Sequence, residues 1–251
     1  MSTKAQAFRA LHHGREAGDP LVLPGPWDAA SARAFADAGF PALATPSAGV
    51  SASLGYADGD TPAEEMFAAV ARIARAVDVP VSADVEDGYG LPPGELVARL
   101  LDTGAVGCNL EDTDRATKTL KDPRRHADWL AEVRTAAGED LFVNARVDTF
   151  LRGVDDPDEA VERIRLYAEA GADCVYPITV PAGRLPLLRA ATAVPINVFA
   201  SASPGDPPVA ELGRLGATRI TFGPGLQRRA QAAVADIARE LYGQGPGAAK
   251  L

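Results

Sequence analysis

The stretch Ser82-Ala-Asp-Val-Glu-Asp-Gly-Tyr-Gly90 runs from an apolar strand start into three carboxylates and a glycine-rich turn. A strand needs no such ending, whereas a divalent-metal site does. Hard cations such as Mg²⁺ take oxygen ligands, usually one or two carboxylates with water and substrate completing an octahedron. Asp84 and Glu86 are two residues apart, a spacing that puts both side chains on one side of an extended strand. Asp84 is therefore the expected direct ligand. Glu86 is expected to hold metal-bound water, because Mg²⁺ dehydrates reluctantly. The competing reading is a solvated acidic turn, and Asp87 is assigned to turn chemistry.

Further segments end in groups of the same chemical kind. Glu111-Asp112 follows Asn109-Leu110, and these acids either join the metal shell or pair with Arg146 and Lys118. In Asn144-Ala-Arg146-Val-Asp148 a guanidinium is placed to grip a carboxylate in a bidentate way and to stabilise charge developing on an oxygen. Ser47, with the backbone amides of Ala48 and Gly49, offers an anion cradle, the alternative being an ordinary turn. Asn197 closes the set. The polar segment 113–122 is a lid candidate that would exclude water and bring Lys118 to the site, or else a solvated loop.

These groups gain meaning from the elements that carry them. Strand patterns at 21–24, 38–45, 79–84, 103–111, 141–146, 170–177, 195–200 and 215–223 alternate with helical patterns at 29–38, 61–77, 93–103, 123–137, 157–170, 182–191, 207–215 and 226–242. Several helices open with Asp or Thr followed by Pro, and several close on Gly, which is N-cap and C-cap chemistry. Eight such repeats in 251 residues predict one (β/α)₈ TIM barrel over 1–251, whose usual length is about 250 residues. A doubly wound sheet would also alternate, but no G-x-G-x-x-G follows the first strand. An extra amphipathic helix over 1–16, with Phe8 and Leu11 on one face, is expected to cover the barrel floor. The small-residue tail 243–251 is expected to be mobile. In a barrel the C-terminal strand ends converge on one mouth, so Ser47, Asp84, Glu86, Glu111, Arg146 and Asn197 become one constellation. Carboxylates packed there repel one another unless a cation compensates.

Composition excludes other classes. With 25 Lys+Arg against 34 Asp+Glu the net charge is -9, and no basic run interrupts this balance, which argues against nucleic-acid or anionic-membrane partners. Cys108 and Cys174 sit in apolar strand patterns and read as reduced thiols, hence a cytoplasmic compartment. No apolar run approaches the roughly 20 residues that span a bilayer, and the N-terminus lacks a signal core.

The blocks Pro-Gly-Pro-Trp-Asp28-Ala-Ala-Ser-Ala-Arg, Ser47-Ala-Gly-Val-Ser-Ala-Ser-Leu-Gly-Tyr-Ala-Asp58, 82–90, Asn109-Leu-Glu-Asp112 and Asn144-Ala-Arg-Val-Asp148 together resemble the isocitrate lyase/phosphoenolpyruvate mutase superfamily along nearly the whole chain. The resemblance implies a Mg²⁺-dependent barrel acting on small 2-oxo or 2-hydroxy carboxylates through an enolate. It implies Ser47 and Gly49 on the substrate carboxylate, Asp58, Asp84, Glu86 and Glu111 in the metal shell, and Arg146 on the enolate oxygen. It also implies a homotetramer or dimer in which the helix at 226–242 is exchanged between subunits. The sequence departs from the pattern at the lid, where Ala116-Thr-Lys-Thr-Leu120 replaces the Cys-containing lid of isocitrate and methylisocitrate lyases. Lys118-Thr-Leu120 resembles the Lys-Thr-Asn lid of the mutases without its Asn. Thr45 stands where an aromatic is usual, and Ile178 where some lyases have Glu. The expected activity is a C–C lyase or decarboxylase, with P–C chemistry (phosphoenolpyruvate mutase or phosphonopyruvate hydrolase) and a non-catalytic dicarboxylate-binding barrel as alternatives.

Overall fold

The computed structural model describes residues 3–201 and 207–243. Eight strands, β1 Leu21–Val22, β2 Leu43–Ala44, β3 Val81–Asp84, β4 Gly107–Leu110, β5 Phe142–Val147, β6 Cys174–Pro177, β7 Asn197–Phe199 and β8 Arg219–Thr221, appear where the sequence patterns place them. All pair in parallel, in two arcs ordered β2-β3-β4-β5-β6 and β1-β8-β7. The arcs meet on both sides. Val175 bridges Ile196 in parallel, and the Ala44 amide donates to the Pro24 carbonyl at 3.1 Å. The sheet thus curls into the α/β barrel that the repeat count predicts.

The helices are α1 Thr3–Leu11, α2 Ala29–Asp37, α3 Ser47–Leu54, α4 Ala63–Arg75, α5 Pro93–Asp102, α6 Pro123–Ala137, α7 Pro157–Glu169, α8 Leu185–Ala191, α9 Val209–Arg214 and α10 Gly225–Gly243. Their starts follow the local chemistry. Asp28 caps α2 in a reciprocal box with Ser31, and Asp122 and Asp156 cap α6 and α7 just before a proline at the first helical position. In α4, Met66, Phe67, Val70 and Ile73 repeat at three-to-four spacing and are buried. They pack against strand residues such as Val81 and Ala83 in the core between helices and sheet. Helix α3 was not expected. Its run of small residues carries no apolar period, and it forms because Pro46 turns the chain out of β2 and Val50 is fully buried.

Helix α1 closes the barrel floor, where fully buried Phe8 meets Phe142 edge-on at 5.2 Å. Gly107 is required beneath it, since a Cβ there would stand 2.8 Å from the Phe8 ring and 3.2 Å from the Phe142 carbonyl oxygen. The expected tail 243–251 lies outside the described residues apart from Gly243. Both cysteines are buried and free. Among the described residues no helix is long and apolar enough to cross a membrane.

Candidate active site

A cavity of about 210 Å³ opens at the C-terminal ends of the strands. Ser47 and Ala48 reach it from the first turn of α3, Asp58 and Gly59 from the following loop, Asp84 from the end of β3, Glu86 from the turn after it, and Glu111 from just past β4. Arg146 enters from β5 and Lys118 from the segment 113–122.

Asp84 is held by its neighbours on one side only. Its Oδ2 accepts from the Ser47 amide at 3.1 Å and the Ser47 hydroxyl at 2.8 Å, and its own amide donates to Thr45 Oγ1 at 3.1 Å. Oδ1 is buried with no hydrogen-bond partner. Burial pushes the Asp84 carboxyl up from the ordinary range, against the pull of Arg146 and the two Ser47 bonds. Burial likewise raises Glu86 to about 7, with Arg115 opposing it, and lifts Glu111 well above its usual value against Arg146.

The expected side-by-side arrangement of Asp84 and Glu86 on one strand is not what brings them together. β3 ends at Asp84, and Glu86 lies beyond it at φ 52, in the left-handed region that a side chain rarely adopts. The turn, rather than strand periodicity, returns Glu86 to the cavity. There its Oε2 pairs with Arg115 Nε at 3.0 Å and its Oε1 accepts from Tyr89 at 3.2 Å.

Arg146 is buried between two acids. Nε and Nη2 both donate to Asp148 Oδ1 at 3.0 Å, and Nη1 pairs with Glu111. Burial works against the charge, but Asp148 and Glu111 hold the guanidinium firmly protonated. Asp148 is itself fully buried, with Thr113 Oγ1 donating to its Oδ2 at 2.6 Å. Asp112 stands behind this layer and not in the cavity. It pairs with Arg163 at 3.0 Å, accepts from Tyr167 at 2.8 Å, and accepts the Asp148 amide at 2.8 Å. The alternative pairing of Asp112 with Lys118 does not occur.

The segment 113–122 is built, not loose. Thr113 and Leu120 form an antiparallel bridge, and Asp114 accepts from the amides of Ala116 at 3.0 Å and Thr117 at 2.7 Å. Lys118 sits at φ 58 with its amide on the Asp114 carbonyl at 2.8 Å. Arg115 ties the segment down through the carbonyls of Gly59 at 2.6 Å and Thr61 at 2.9 Å, over the ring of Tyr89.

Two expected substrate contacts are placed elsewhere. Gly49 does not line the cavity, because the helical turn directs it at Pro46, whose Cγ would stand 2.9 Å from an added Cβ. Asn197 is fully buried behind Thr221, donating to its hydroxyl at 3.1 Å. Thr221 and Tyr176 line the cavity in its stead, together with Arg115, Arg152 and Leu151. The strand-end rule could have found Tyr176 and Thr221. Arg115 and Arg152 lie beyond strand ends, where no periodicity marks them.

A divalent cation fits this donor set. Asp84 Oδ1 is an orphaned buried acceptor among Asp58, Glu86 and Glu111, and a cation would relieve the burial that raises Asp84 and its neighbours. Among the described residues no three His, Cys, Asp or Glu side chains could hold a metal by themselves. Mg²⁺ takes one or two carboxylates directly and keeps several waters.

With fold and site in place, the chain belongs to the phosphoenolpyruvate phosphomutase family, whose model matches residues 8–242, within the isocitrate lyase/phosphoenolpyruvate mutase superfamily of enzymes. "Uncharacterized protein Rv1998c" of Mycobacterium tuberculosis is 35% identical over 86% of this chain and 81% of its own length. "Probable 2-methylisocitrate lyase 2" of Corynebacterium glutamicum is 32% identical over 67% of this chain and 58% of its own. The solved structure titled "putative phosphonomutase" from Burkholderia cenocepacia is 39% identical, covers 95% of this chain and 100% of its own, and superposes with a TM-score of 0.87.

Proposed function

We propose that the protein is a Mg²⁺-dependent lyase or decarboxylase that cleaves a C–C bond of a small 2-oxo or 2-hydroxy carboxylate through an enolate. The observation that carries this reading is the unpartnered Oδ1 of Asp84, a residue that lines the same cavity as Arg146. Asp84 would ligate the metal, with Asp58, Glu86 and Glu111 holding its waters. When bound, Mg²⁺ supplies a Lewis acid for the substrate's carbonyl or hydroxyl oxygen.

The protein's own groups do the rest. The Ala48 amide, at the N-terminal turn of α3, receives the substrate carboxylate, and Ser47 lines the same spot while its own amide and hydroxyl hold Asp84 Oδ2. As the C–C bond breaks, a base takes the proton of the substrate hydroxyl, which becomes a carbonyl (in the decarboxylase case the other fragment leaves as CO2), and the bond's electron pair passes to the leaving fragment as an enolate with charge on its oxygen. Arg146, fixed in place by Asp148 and Glu111, meets that charge without having to reorganise. Lys118 closes the cavity from the segment 113–122. The similarity to a probable 2-methylisocitrate lyase supports C–C chemistry.

P–C chemistry is the second reading, supported by the matching family model and by the phosphonomutase structure. Assaying oxaloacetate, 2-methylmalate-type acids and phosphonopyruvate with Mg²⁺ separates the two. Phosphate release from phosphonopyruvate alone would sink the lyase reading, and oxalate binding without turnover of any of the three would leave a binding protein.

The enzyme works as a homodimer or homotetramer. Val234, Ile237 and Leu241 fall at three-to-four spacing along α10 and are 57%, 55% and 66% exposed, an apolar stripe that a second copy would cover. Sedimentation of the intact chain tests this, and a monomer at micromolar concentration refutes it.

A further inference from the structure

Arg152 occupies the rim of the same cavity and has no part in the chemistry above. Its backbone is pinned, since its amide donates to the carbonyl of Asp148 at 2.9 Å in the short turn Phe150–Arg152 after β5. Its Nε donates to Thr113 Oγ1 at 3.2 Å, the hydroxyl that donates in turn to Asp148, the acid that holds Arg146. A run of hydrogen bonds therefore fixes Arg152 relative to Arg146. The two Nη groups, the forked end of the guanidinium, carry no ion pair among the described residues. Leu151 and Ile178 add apolar surface to the same cavity.

Charge points the same way. The cavity lining holds four carboxylates and four cations, Arg115, Lys118, Arg146 and Arg152. Arg115 and Arg146 are committed to acids, whereas Arg152 is not. Asp148, behind the lining, is paired with Arg146, so a bound divalent cation turns the site as a whole net positive, which an anionic substrate would match.

The geometry points to Arg152 as a specificity-determining residue that binds the distal carboxylate of a dicarboxylate substrate. The proximal carboxylate lies at Ser47 and the metal, and a short aliphatic spacer lies along Leu151 and Ile178. This assignment rests on the metal-and-carboxylate reading of the site. A guanidinium fork suits a carboxylate in a way an ammonium does not.

The test is calorimetric binding, with Mg²⁺ present, of oxalate and of 3,3-difluorooxaloacetate to wild type, Arg152→Gln and Arg152→Lys. Oxalate spans only the metal and the proximal cradle, whereas the longer diacid adds a distal carboxylate. Arg152→Gln is expected to weaken the longer diacid about tenfold to hundredfold, the range of one charge-assisted contact, while leaving oxalate within about twofold. Arg152→Lys should recover part of the loss. Equal losses for both ligands, no loss for either, or wild type that takes oxalate but rejects the longer diacid would each overturn the assignment. Wild type that ignores oxalate would take down the underlying metal-and-carboxylate reading, and the assignment with it.

Discussion

Replacing Asp84 by Asn separates the metal role proposed for this residue from its structural one. The carboxylate and the amide have nearly the same shape, and an Asn oxygen can still accept from the Ser47 amide and hydroxyl, the contacts now made by Oδ2. What is lost is a negative charge whose second oxygen is buried without a partner. Burial already disfavours that charge in the metal-free protein, as the raised Asp84 carboxyl shows. Asp84→Asn should therefore leave the metal-free protein at least as stable as wild type, because removing a buried charge whose Oδ1 is unpaired relieves a desolvation cost. The metal-loaded comparison should run the other way. Mg²⁺ at about one hundred times its dissociation constant stabilises wild type by about 2.7 kcal/mol. For a chain of this size that raises Tm by roughly 5 to 10 °C at about 2 to 4 °C per kcal/mol, and the variant should show almost none of this shift. Thermal melts with and without Mg²⁺, with chelator as the reference, measure both differences. A wild-type Tm indifferent to millimolar Mg²⁺, or a full shift retained in Asp84→Asn, would refute the reasoning.

Other groups give sharper single readings. Arg146→Lys keeps a charge but cannot reproduce the contacts with Asp148 and Glu111, so kcat should fall about 10²- to 10³-fold in a steady-state assay of whichever substrate turns over. His126 is buried neutral, its proton affinity lowered to about 3 mainly by burial, with Lys121 and Arg163 adding to it. Between that value and the ordinary pKa near 6.5 the unfolded chain binds a proton that the folded one refuses, so stability falls as pH drops through this window. From pH 7 to pH 5.5 His126 alone should cost about 1 kcal/mol, and urea titrations of His126→Phe should show a correspondingly flatter loss than wild type. Arg219 is fully buried over Phe8, with Nε, Nη1 and Nη2 all lacking hydrogen-bond partners. Arg219→Met should therefore match or exceed wild-type stability, by about 1 to 4 kcal/mol in the favourable case. A loss in denaturant melts would mean that an internal water or anion pairs the guanidinium.

Strand order and the convergence of Asp84, Glu111 and Arg146 were legible because eight glycine- and proline-punctuated repeats fix a barrel, and a barrel fixes where strand ends meet. Helix α3 was not legible, since Ser47-Ala-Gly-Val-Ser-Ala-Ser-Leu54 has neither a polar face nor a capping side chain. Reading Gly49 as a cradle residue depended on taking that stretch as a turn, and once it is a helix Gly49 faces Pro46. Asn197 was misjudged by one layer. It begins β7 and lies fully buried in the barrel interior, two residues short of the strand's last residue, Phe199. Arg115 escaped notice because it acts through the carbonyls of Gly59 and Thr61, backbone partners that carry no sequence signature.

The backbone at the site is held in rarely adopted conformations by identifiable contacts. Among the described residues four non-glycine residues adopt positive φ, namely Glu86, Tyr89, Lys118 and Thr179, and two of them, Glu86 and Lys118, line the cavity. Each such residue costs of order 1 to 3 kcal/mol and persists only where its surroundings over-determine it. For Glu86 and Tyr89 the surroundings are visible. Tyr89 donates to Glu86, its amide donates to Asp87 Oδ1 at 3.1 Å, and the Arg115 guanidinium lies 4.9 Å from the Tyr89 ring centroid while pairing with Glu86. Arg115 belongs to the same segment as Lys118, so the acid turn and the segment 113–122 are one mechanical unit. Loosening the segment at Arg115 would release Glu86 from its position near Asp84. The carboxylate shell and the cover of the cavity are therefore set by the same few contacts.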